Sequence, residues 1–342
     1  MRGVIAVLMC LAASFAFAAP AGRLEIHSRE AALKWIGDYR ARPQPARMPE
    51  LVRAASHLGL FNDPESSGAF VGFVAGVLGS NPDRADDLVD AMFPLPAENH
   101  WMVVRAIAYS GLPEWKDLLL RQSERMPTRQ ALIDKFVSGR LPTLMQVAPP
   151  PEPGFGDKVK KLFSGESKER QMTWALESSP ELLDTLWGYY FATGSYGSVL
   201  RMVAMLHWSR DKDNVEKLMI GSMTKYTLAI NATRDQALLT SLRRAVRHQP
   251  KETQVVLNEV VDAAENADTV KIRKEQLAAI EELKRKGPGF RRELTGWGQI
   301  GEGAIGVGCV TAAVLSMTTL GIPCVVGGAA TSAALRYWGS QQ

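Results

Sequence analysis

In residues 182–206 the apolar side chains recur at the spacing of a helix, stop at a glycine and then resume, and this grammar limits what the rest of the chain can become. Leu183, Leu186, Trp187 and Tyr190 fall at helical spacing, Gly194 can take the positive φ that ends a helix, and Val199, Leu200, Val203 and Leu206 restart the period. Two helices joined by a tight turn are expected. No run in the chain alternates with period two over more than a few residues, so strands are not expected and the fold class is all-α.

The residue order of this stretch is similar to a tetratricopeptide unit. Leu183, Leu186, Trp187 and Tyr190 stand in the first helix, Gly194 and Tyr196 follow, and Val199, Val203 and Leu206 occupy the packing positions of the second. The likeness covers one unit. It implies a helical hairpin array, an alpha-alpha superhelix that presents surfaces rather than chemistry, and it carries over no functional residues. As a whole the chain resembles exported helical proteins of bacteria.

Upstream, residues 28–40 read as a first helix with Ala32, Leu33, Trp35 and Ile36 on its apolar side. Pro49, Pro64, Pro82, Pro113 and Pro127 then stand where a missing N–H costs nothing, ahead of apolar runs, with Asp63 and Asn81 as candidate caps. Pairs of segments recur at about 31 to 33 residues, near the period of helix-turn-helix repeats. Gly68, Gly72 and Gly76 fall at i, i+4 and i+8 in a run too short to span a membrane. A glycine inside a helix costs about 1 kcal/mol against alanine, so three in register predict a buried helix that approaches a neighbour closely.

Residues 142–156 hold five prolines and mark a linker between an N-terminal helical domain, 19–141, and a tetratricopeptide-like domain, 157–297. Beyond residue 170 the helical pattern continues over residues 213–230, 234–247, 250–266 and 269–286. Residues 298–342 change character. From Gly303 to Leu335 no charged residue occurs, and Gly321, Ile322 and Pro323 interrupt the run. One span needs about 20 residues and two need about 40, so the segment is either one weak span plus a remainder or a hairpin of short helices. Ala304, Gly308, Ala312 and Ser316 put small residues on one face, with Ala329 and Ala333 able to meet them, which favours close helix contact in lipid or in a buried hairpin. The basic residues Lys284, Arg285, Lys286, Arg291 and Arg292 suit acidic lipid, although an exported domain before them would put those charges on the disfavoured side of a membrane.

Export is expected from the start of the chain. Arg2, the apolar run from Val4 to Phe15, and Ala16-Phe17-Ala18 read as a signal peptide, residues 1–18, with an uncleaved anchor as the alternative. Cleavage removes Arg2 and Cys10, so the formal charge falls from +4 to +3 and two of the three cysteines remain. Cys309 and Cys324 can form one disulfide in an oxidising compartment or stay as buried thiols. So weak a net charge gives no argument for nucleic acid.

The chain carries no HExxH, no CxxC and no phosphate loop. His100 and His207, each beside a tryptophan, read as structural, and Asp86, Asp87 and Asp90 read as a solvated helix face rather than a metal site. The expectation is therefore a non-catalytic scaffold with no cofactor, periplasmic or envelope-associated, binding a protein or peptide between helix pairs. Tyr189, Tyr190 and Tyr196 are the candidates for that surface, against the reading that they are core aromatics. The alternative is a membrane-anchored or membrane-active protein using residues 303–335.

Overall fold

A computed structural model describes residues 24–146, 179–211 and 215–266. These residues form helices joined by turns and short 3-10 segments, and no strand occurs among them. Before the proline-rich linker the helices are α1 (Arg29–Asp38), α2 (Met48–His57), α3 (Gly68–Gly79), α4 (Ala85–Asp90), α5 (His100–Tyr109), α6 (Trp115–Arg121) and α7 (Gln130–Val137). After it come α8 (Pro180–Thr193), α9 (Tyr196–Ala204), α10 (Val215–Ala232), α11 (Gln236–Val246) and α12 (Lys251–Glu265). The pattern expected over 213–230, 234–247 and 250–266 corresponds to α10, α11 and α12 to within a few residues.

Local signals explain most of the helix ends. Ser28 caps α1 by accepting from the Ala31 N–H at 3.2 Å, and Ser179 caps α8 by accepting from Leu182 at 3.1 Å. Pro49 and Pro180 stand in the first turns of α2 and α8, where no N–H is needed. Gly194 ends α8 with φ +68°, the left-handed conformation that its position suggests. The cap at Asn81 differs from expectation. Asn81 turns its side chain backwards and donates to the Val77 carbonyl at 2.8 Å, closing the end of α3 instead of opening the next turn. At Asp63 the backbone carbonyl accepts from the Ser67 hydroxyl at 2.6 Å.

The core is organised by α3 and α8. Every residue of α3 from Gly68 to Leu78 is buried, as is α8 from Leu182 to Ala192, so each helix is surrounded on all sides. They meet along a seam of glycines. A Cβ added at Gly68 would lie 2.5 Å from the Glu181 carbonyl oxygen, one at Gly72 1.9 Å from that of Thr185, and one at Gly188 2.0 Å from that of Ala69. The close approach expected of the glycine triad is present, and α8 is the partner.

This seam overturns one expectation. Residues 142–156 do not divide two separately packed parts, because α3 before them and α8 after them share one continuous hydrophobic core. Phe73 of α3 meets Trp35 and Tyr39 at ring-centroid distances of 5.5 and 4.9 Å, while Trp187 of α8 donates through Nε1 to Thr227 Oγ1 of α10 at 3.0 Å. Leu144, within the linker's first residues, is itself buried.

The signal peptide at 1–18, the helix expected over 269–286, Cys309 and Cys324, the small residues Ala304, Gly308, Ala312 and Ser316, and most of the linker lie outside the described residues. Among the described residues no helix is long and apolar enough to cross a membrane.

Candidate functional site

Two of the three tyrosines expected at a surface belong to the core. Tyr189 is 8% exposed, and its hydroxyl donates to the Ser110 carbonyl at 3.3 Å. Tyr190 is 2% exposed, lies edge-on to Trp187 at 5.8 Å, and donates to Asp235 Oδ2 at 2.8 Å. The physical reason is that α8 is buried all round, so adjacent positions on it face different neighbours and neither faces solvent. Tyr196, at the first turn of α9, is half-buried and packs against the core.

Around Tyr190 a polar knot ties three distant pieces of chain. The Arg40 guanidinium lies 4.4 Å over the Tyr190 ring and forms an ion pair with Asp235. Asp235 also caps α11, accepting from the N–H groups of Ala237 and Leu238 at 3.0 and 3.1 Å. Burial works to raise the Asp235 pKa, but the Leu238 N–H, the Tyr190 hydroxyl and Arg40 together hold it below the ordinary carboxylate value. Burial pushes the Tyr190 hydroxyl well up, against the pull of Arg40. A second knot joins Lys225 of α10 and Arg210 to Glu259 of α12 at 2.8 and 2.6 Å.

A third polar group stands apart. Asp184 of α8 is 5% exposed. Burial raises its pKa to about 7, with Arg29 opposing and Glu181 adding to the rise. Glu181, one turn earlier, is paired with Arg105 of α5.

The histidines and carboxylates considered in the sequence take structural places. His100 holds the Leu95 carbonyl through Nε2 at 2.9 Å and lies edge-on to Phe93, while His207 packs on Trp208 at 5.6 Å. Asp86 and Asp90 are engaged rather than merely solvated, since α6 brings Arg121 to Asp86 at 2.6 Å and Gln122 to Asp90 at 2.8 Å. Among the described residues no three His, Cys, Asp or Glu side chains are placed to hold a metal ion.

A groove that the sequence reading missed lies beside α2. Residues 24–27, which form no regular element, lie beside α2, fixed by the Leu24 N–H donating to Glu50 Oε2 at 3.0 Å. Ile26 points inward, and Glu25 and His27 point out. Together with Arg53, Ala54, His57 and Leu58 they line an open groove of about 660 Å³. Leu58, just past the end of α2, is 39% exposed. No main-chain hydrogen bond joins Glu25, Ile26 or His27 to another described residue. The signal that could have found this segment is the alternation in Leu24-Glu25-Ile26-His27, too short to register as a strand.

Comparison with protein-family models, with curated proteins and with solved structures finds no match for this chain.

Proposed function

We propose that the chain is an exported, non-catalytic helical scaffold that binds a protein partner through an extended peptide. The observation that carries this reading is the groove beside residues 24–27, where Glu25, Ile26 and His27 make no main-chain hydrogen bond to another described residue and Leu58 is exposed next to them. An extended peptide laid along these residues gains main-chain hydrogen bonds, while alternate side chains reach the apolar floor. The burial of Tyr189 and Tyr190 moves the proposed surface away from α8. The α8–α9 pair, closed by Gly194, remains the piece most similar to a tetratricopeptide hairpin, and a repeat-like array of such pairs is part of the proposal.

Placing a photoreactive amino acid at position 58 in living cells, with Leu120 on α6 as an equally exposed control, tests this directly. A discrete protein adduct from position 58 alone, lost when Arg53 and His57 are replaced by alanine, is expected. Identical adducts from both positions, or none, remove the groove.

Export is tested by N-terminal sequencing, which should find Ala19 first; an intact Met1 on a cytoplasmic protein contradicts it. The second reading, membrane anchoring, rests on the uncharged stretch 303–335. Resistance of the full chain to carbonate extraction, lost on deleting 298–342, favours that reading.

A further inference from the structure

We draw no further inference here: the strongest candidate, the cluster of Ser195, Gly197 and Arg201 at the start of α9, rests on a helix N-terminus, and Arg201 is only half-buried and already donates to the Met145 carbonyl at 2.8 Å, so nothing in the structure points to an anion held there.

Discussion

A Cβ on Gly72 would lie 1.9 Å from the carbonyl oxygen of Thr185, so α3 and α8 touch backbone to backbone. Gly72→Ala would gain about 1 kcal/mol in helix propensity, yet it must push two buried helices apart. Because the obstacle is main chain, the net effect should be a loss of about 2 to 3 kcal/mol. Gly37, in α1, has nothing within 4 Å of its would-be Cβ. Gly37→Ala should stabilise by about 0.5 to 1 kcal/mol. Urea unfolding of both variants checks the contrast in sign.

Trp187→Ala should cost about 3 to 5 kcal/mol, because Trp187 is only 1% exposed and its indole N–H is paired with Thr227. Gly194→Val should cost about 1 to 2 kcal/mol, since φ is +68° and a side chain must adopt the left-handed conformation. Tyr196→Ala should cost less than Trp187→Ala, because the ring is half-buried at the start of α9. Thermal melts that rank Tyr196 above Trp187 would contradict this packing.

Asp235 and Asp184 should bend the stability curve at different ends of the pH range. The Asp235 carboxyl titrates below its ordinary 3.8, so its contribution is present above that value and disappears as pH falls through the folded pKa. Asp235→Asn should cost about 1 kcal/mol at neutral pH, from the weakened ion pair with Arg40 and cap of α11, and the difference should shrink in strong acid. Asp184 behaves oppositely. With a folded pKa of about 7, it lowers stability progressively above 3.8. Asp184→Asn should therefore match the unsubstituted chain near pH 4 and exceed it by about 2 to 4 kcal/mol at about pH 8. Denaturant unfolding at the two pH values checks both signs.

The helices were legible because their signals are local. Ser28, Pro49 and Gly194 mark boundaries by short-range geometry, and the Gly68, Gly72, Gly76 register announces a close neighbour. The identity of that neighbour was not legible, since nothing in a periodicity links Gly72 to Thr185 across the proline-rich linker. Reading that linker as a boundary followed from composition alone, and composition says nothing of which cores pack together. The burial of Tyr189 and Tyr190 was obscured for the same reason, because α8 looks like a one-sided helix until α3 covers its other face. Asp184 did leave a trace, as a carboxylate with Leu183, Trp187 and Gly188 close to it in sequence, where a solvent-facing position would be flanked by polar residues. The groove was missed because half of it comes from four residues of no regular element and half from the end of α2.

Cutting the chain within its linker tests most directly whether the seam makes one body of the two parts. A specific protease site placed among residues 149–153 and cleaved at about pH 6, where Asp184 is neutral, leaves the described helices on two polypeptides. The expected result is that the pieces bearing 24–146 and 179–266 co-elute under native conditions and unfold in a single transition, which Gly72→Ala weakens. Two folded pieces that elute apart and unfold independently would contradict a shared core.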